Sequence, residues 1–116
     1  MSAEDQYYDA IEKVANGDLA EAAEGFRACL ETDPAFLDAM HGLIRALQDL
    51  GELDEAIRVS LRLVEIDPDD VLAHTRLSIL YQHKGMIPEA EAEALKAKLL
   101  GWKHQLRHPK DSLESL

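Results

Sequence analysis

Leu50-Gly51-Glu52-Leu53-Asp54-Glu55-Ala56-Ile57, followed by Ile66-Asp67-Pro68, decides how the rest of the chain is read. A glycine separates two apolar runs of helical spacing, and a proline stops the second run. Glycine adopts the positive φ that ends a helix at low cost, and proline cannot continue one. The same punctuation recurs at a fixed interval. Gly17, Gly51 and Gly85 stand 34 residues apart, as do Ala22, Ala56 and Ala90, and Pro34 precedes Pro68 by 34. Marks that stay in phase at this period define a repeat array whose unit is one supersecondary element.

Three units of this length fill most of the 116 residues. They fall at about residues 3–36, 37–70 and 71–100, with an extension over 101–116, and together they are expected to form one domain. Three is about the number at which stacked units bury a continuous core. The expected fold is all-α: a right-handed α-solenoid of three helix-turn-helix repeats with a long C-terminal capping helix.

Composition narrows the function. Apolar residues make up 47% and charged residues 30%, ordinary values for a globular domain. The start, Met1-Ser2-Ala3-Glu4-Asp5-Gln6, is acidic and lacks a basic, apolar leader, and no apolar run approaches a membrane span. Cys29 is the single cysteine, so no internal disulfide forms. A cytoplasmic protein without membrane association is expected. The net charge of −11 is unevenly placed: residues 1–70 carry 18 Asp/Glu against 5 Lys/Arg, whereas Lys96, Lys98, Lys103, Arg107 and Lys110 follow one another without an acid. So acidic a body repels phosphate backbones, which argues against nucleic acid as a partner. The basic tail either holds an acidic partner or, as is expected here, folds against that acidic body.

In the first unit the spacing predicts a helix over about residues 4–16, with Tyr8, Ile11 and Ala15 as its apolar stripe, ended by Gly17. Asp18-Leu19-Ala20-Glu21 reads as a cap opening the next helix, which buries Leu19, Ala22, Phe26, Cys29 and Leu30. In the second unit Ala39, Leu43, Ala46, Leu47 and Leu50 face inward, then Leu53, Ala56, Ile57, Leu63 and Val64. Ala22, Ala56 and Ala90 are placed where antiparallel helices cross most closely. The third unit puts Leu77, Leu80 and Tyr81 inward. Its last helix overruns the repeat, with Leu95, Leu99, Trp102 and Leu106 continuing the apolar spacing as far as Pro109.

These residues together resemble the tetratricopeptide repeat. Leu43 through Pro68 matches best, Leu77, Tyr81, Gly85 and Ala90 follow it, and Gly17, Asp18, Ala22, Phe26, Asp33 and Pro34 match in the first unit. There are departures. Gln6, Met40 and His74 stand where the family has a tryptophan, Ile44 replaces a small residue that Ala10 and Ser78 keep, and Ser60 and Ala94 replace the aromatic kept as Phe26. The resemblance implies a groove lined by the first helix of each unit, holding an extended peptide or a helix of a partner protein. Carried over by position, that groove presents Tyr7 and Ile11, then Asp38, His41, Arg45, Gln48 and Asp49, then Leu72, Thr75, Ile79, Gln82 and His83. An arginine beside apolar side chains suits a peptide with one acidic group and one or two hydrophobic anchors. One subset of the family grips chaperone C-terminal carboxylates with a Lys/Asn clamp. Here those positions hold Tyr7, Ile11, Gly42 and Leu72, with only Arg76 basic, so that mode is not expected.

The sharper readings compete with plainer ones. Ile11 and Ile79 are as readily core as partner anchors. Cys29 lies on the buried stripe and reads as a structural thiol. His104 and His108 are four apart, but with no third ligand in reach a solvated face is preferred to a metal site. Glu89, Glu91 and Glu93 alternate across faces and read as solvated charge. Leu99, Trp102 and Leu106 either cap the open end of the repeat core, the preferred reading, or form a self-association patch. No catalytic residues, metal or cofactor are predicted, since no phosphate loop, nucleophile–base pair or ligand cluster occurs. The function expected is a protein-interaction adaptor, against a homo-oligomeric assembly unit or a client-specific chaperone.

Overall fold

Six helices follow one another in the computed structural model, which describes residues 1–107: α1 (Ala3–Ala15), α2 (Leu19–Thr32), α3 (Leu37–Leu50), α4 (Leu53–Ile66), α5 (Val71–His83) and α6 (Ile87–Arg107). Among the described residues there is no strand. The three glycines of the repeat end α1, α3 and α5 in the left-handed region, with φ of 81°, 79° and 75°. Each turn is closed by the same two backbone bonds. The glycine N–H donates to the carbonyl of Val14, Gln48 or Gln82, and the next residue's N–H donates to that of Lys13, Leu47 or Tyr81. This is a Schellman ending, which satisfies carbonyls that the helix itself leaves open.

The chain divides into two compact units at Pro68–Asp69, between the second and third repeats. In the first, α2 packs on α1, α3 on α2 and α4 on α3, while α1 also touches α3. Phe26, Met40, Ile44, Leu47 and Leu63 are fully buried. Burying each such side chain contributes about 1.5–3 kcal/mol. Ala22 and Ala56 have no exposed surface, as their placement at close helix crossings requires. Contact between α1 and α2 is tighter still at Gly25, where an added Cβ would come within 2.9 Å of the Ala10 Cβ. Tyr7 is half-buried in an aromatic cluster, with ring centroids 5.2 Å from Phe36, 5.5 Å from Tyr8 and 6.0 Å from Phe26. Burial and the nearby Asp38 push its phenol up from the ordinary value. Cys29 is buried, its thiol donating to the Ala3 carbonyl at 3.2 Å. Burial and Asp33 raise its pKa, which keeps it a thiol.

In the second unit α5 packs on α6, burying Ala73, Leu77, Leu80 and Ala90. Its core is also polar. His74 Nδ1 donates to Glu93 Oε2 at 2.7 Å, and both residues are buried. The other carboxylate oxygen accepts from Lys96 Nζ at 3.0 Å. Burial alone would raise the Glu93 pKa, but the hydrogen bonds from His74 and Lys96 outweigh it and hold the carboxyl below the usual range.

Several expectations are corrected. Glu93 is a buried hydrogen-bond acceptor rather than solvated charge. Tyr8, Ile11 and Ala15 lie on the exposed side of α1, because Ala10, with the half-buried Tyr7 and Gln6, turns inward. Leu50, one residue before the left-handed turn, is 41% exposed rather than inward. Asp18 makes no side-chain cap on α2, since it closes the Schellman bond of α1; Glu21 instead pairs with Lys13 at 3.0 Å. Side-chain caps occur on α1, where Ser2 and Asp5 form a capping box, and on α5, where Asp70 accepts from the Ala73 N–H. At the end of α6, Trp102 is 51% exposed and Leu106 83%. The helix runs on through Gly101, and its Lys103, His104 and Arg107 line a cleft with Asp69 and Val71. His108, and with it the His104–His108 spacing, lies outside the described residues.

Candidate protein-binding surface

α1 and α3 flank a cleft of about 270 Å³. α1 supplies Ile11 and Val14, α2 supplies Leu19 and Phe26, and α3 supplies Gly42, Arg45, Ala46 and Asp49. Gly42 keeps the cleft open for a definite reason: a Cβ there would sit 2.5 Å from the Phe26 ring. Ile11 and Val14 are 40% and 41% exposed, so an apolar wall faces solvent. Opposite it, Arg45 reaches Asp49 one turn on at 3.2 Å. An exposed pair of this kind is worth about 0.3–0.5 kcal/mol, so a partner's carboxylate can displace Asp49 at little cost.

The structure brings Ile11, Arg45 and Asp49 together in this cleft. Asp38, His41 and Gln48 lie along the same face of α3 by helical spacing. Among the described residues the Gln48 Oε1 is buried without a hydrogen-bond donor. Tyr7 spends its ring on the aromatic cluster. In the second unit the same repeat positions of α5 carry Leu72, Thr75, Ile79, Gln82 and His83. Leu72 is 48% exposed, Ile79 is half-buried, and the other three are exposed. Thr75 is already engaged, donating to the Val71 carbonyl at 3.0 Å.

Sequence reasoning missed a second cleft in the first unit, of about 380 Å³, between α2 and α4. Arg27 there makes a two-pronged bond to Glu55, with its shortest contact at 2.7 Å, and a further bond to Glu24 at 2.6 Å. Those carboxylates raise the guanidinium pKa, chiefly through the Glu55 hydrogen bond. Arg58, Arg62 and Glu31 share the same walls. The i, i+4 spacing of Arg58 and Arg62 was visible in the sequence; what they face was not.

Comparisons with known proteins bear on the family and the fold. A tetratricopeptide repeat profile matches residues 13–75, more than half of the chain, and the chain belongs to that family. Among solved structures it is similar to MamA, with a TM-score of 0.85 and 23% identity over 89% of this chain. The chain spans 60% of that MamA chain. It is likewise similar to the type III secretion translocator chaperone SycD of Yersinia enterocolitica, with a TM-score of 0.78, 22% identity, 98% of this chain and 89% of the other. A third similar structure is the second repeat domain of Spaghetti (RPAP3) bound to an HSP90 peptide, with a TM-score of 0.80, 17% identity, 86% of this chain and 93% of the other. Identities this low establish the fold: the all-α helical-repeat fold of tetratricopeptide proteins. No curated protein sequence is significantly similar to the chain. No helix among the described residues is long and apolar enough to cross a membrane, and none of their His, Cys, Asp and Glu groups could hold a metal ion.

Proposed function

We propose that this protein is a cytoplasmic adaptor that holds one segment of a partner protein against the first-helix face of its repeats. The observation that carries the reading is the cleft of α1 and α3, where exposed apolar side chains stand beside an arginine held only by a weak surface pair. A partner segment would lay an aliphatic or aromatic side chain against Ile11, Val14 and Phe26 and set a carboxylate on Arg45. Asp38, His41 and Asp49 would read the rest of the segment, and Leu72, Thr75, Ile79, Gln82 and His83 form the equivalent face of the second unit by itself. Two of the similar structures support an interaction role, one being bound to a peptide and the other named a chaperone. Binding here would not use a carboxylate clamp, since Tyr7, Ile11, Gly42 and Leu72 offer no such donors.

Affinity capture from the source organism, followed by titration of the captured protein, tests this reading. Ile11→Glu with Arg45→Glu changes two exposed residues and should leave the helical spectrum intact. The affinity should fall by at least about tenfold, as at a contact hot spot. An unchanged affinity would remove the groove from the function.

A second reading rests on α6, where Leu95, Leu99, Trp102 and Leu106 are exposed and Lys98 lies 5.0 Å over the Trp102 ring. Such a face could join copies of the chain. Light scattering should then show an oligomer that Trp102→Glu converts to a monomer; a monomeric wild type at high concentration excludes it.

A further inference from the structure

We infer that the cleft between α2 and α4 is a second docking surface, fitted to a short acidic segment of a partner protein. Of the five basic residues in positions 1–70, three converge on it: Arg27, Arg58 and Arg62. That concentration occurs within a stretch of net charge −13. Arg27 is fully used, bridging α2 to α4 through Glu55 and reaching Glu24. Arg58 and Arg62 are exposed and have no ion pair among the described residues, although the surrounding surface is crowded with carboxylates. Glu31, in the same cleft, has no ion pair among the described residues either. The residues lining the cleft carry three arginines against Glu31 and Glu55, with Glu24 held on Arg27 at its edge, so Arg58 and Arg62 are the cations left to meet a partner's carboxylates.

The floor is apolar, made by Leu30, Leu43 and Val59. At about 380 Å³ the cleft is near the lower end of ligand-pocket size and has room for one or two side chains. Arg58 and Arg62 are one turn apart, about 5–6 Å between Cβ atoms. Alternate residues of an extended chain repeat at about 6.6 Å. Two carboxylates at alternate positions therefore match the two guanidinium groups, and a neighbouring aliphatic side chain covers the floor. Arginine suits this task because its planar fork takes a carboxylate in two bonds. A basic segment would be repelled by the same arginines, and a neutral one would leave them without carboxylates. This surface is separate from the α1–α3 cleft and does not depend on its function.

The test uses the full chain and a synthetic peptide with the sequence EELEE, followed by amide shifts in nuclear magnetic resonance. EESEE and KKLKK serve as controls. Saturable shifts are expected at Leu30, Arg58, Val59 and Arg62, weaker with EESEE, absent with KKLKK, and reduced by added salt. Arg58→Glu with Arg62→Glu, both exposed, should weaken EELEE binding by about tenfold or more through like-charge repulsion. Arg45→Glu should leave the shifts at Leu30, Arg58, Val59 and Arg62 unchanged. The inference is overturned if EELEE causes no saturable shift at millimolar concentration, if the double variant binds it equally, or if the shifts map to Ile11 and Arg45 instead.

Discussion

The two compact units solve one packing problem with different chemistry. Positions 6, 10 and 25 recur at 40, 44 and 59, and again at 74, 78 and 93. The first unit fills them with Gln6, Ala10 and Gly25, then with Met40, Ile44 and Val59. Five of these six are apolar or glycine and buried or half-buried against neighbouring helices, and Gln6 lies half-buried with its amide oxygen accepting from Thr32. The second unit fills them with His74, Ser78 and Glu93, all three buried, and joins α5 to α6 through the His74–Glu93 bond. Identical turns and a common period thus hold two kinds of core. A backbone specified by glycine turns and small residues at helix crossings does not require one particular set of side chains between them.

The sharpest break in the comparison should come at the aromatic position. Phe26→Ala removes a fully buried ring in the first unit and should cost about 3–5 kcal/mol in urea unfolding. Its counterpart in the second unit, Ala94, is exposed, so Ala94→Phe should stay within about 0.5 kcal/mol. Equal effects at the two positions would mean that the units share one core plan.

A smaller effect is expected at the polar pair. Glu93→Val alone takes the carboxylate from buried His74 and should cost about 1.5–3 kcal/mol. His74→Met with Glu93→Val installs the residues of the second repeat, Met40 and Val59, and should recover most of that loss. If the double variant is no more stable than Glu93→Val, the pair holds the unit together in a way apolar packing cannot replace.

The smallest and most selective effect is on pH. The Glu93 pKa lies below its ordinary value of 4.5, so its share of stability is present above that value and is lost as pH falls through the depressed folded pKa. Thermal melts between pH 6 and 3 should therefore fall less steeply for Glu93→Gln than for wild type. Parallel declines would show that the carboxylate contributes nothing special in acid.

Much of this was legible beforehand because it rests on local rules. Gly17, Gly51 and Gly85 announce left-handed turns, since glycine takes positive φ with least strain. Ala22, Ala56 and Ala90 announce close crossings, and all three are buried. Part of the site was legible for the same reason: Ile11, Arg45 and Asp49 share a cleft because helical spacing and the repeat period carry position into place. What misled was inference about which face a short apolar series presents. Tyr8, Ile11 and Ala15 satisfy helical spacing as well as Gln6, Tyr7 and Ala10 do, and only the packing of α2 against Ala10, at the bare Gly25, decides between them.

The sequence by itself determined the number of helices, their order, their turns and the family, because each follows from residues near one another along the chain. The tertiary structure decided which charges are alone and which are paired. Nothing in the spacing of Glu93 from His74, 19 residues apart, marks a buried bond. Nor does the chain order reveal that Arg27 is occupied by Glu55, 28 residues on, while Arg58 and Arg62 have no ion pair among the described residues. An ion pair depends on distance and on exclusion of water, and both are set only when helices distant in sequence are brought side by side.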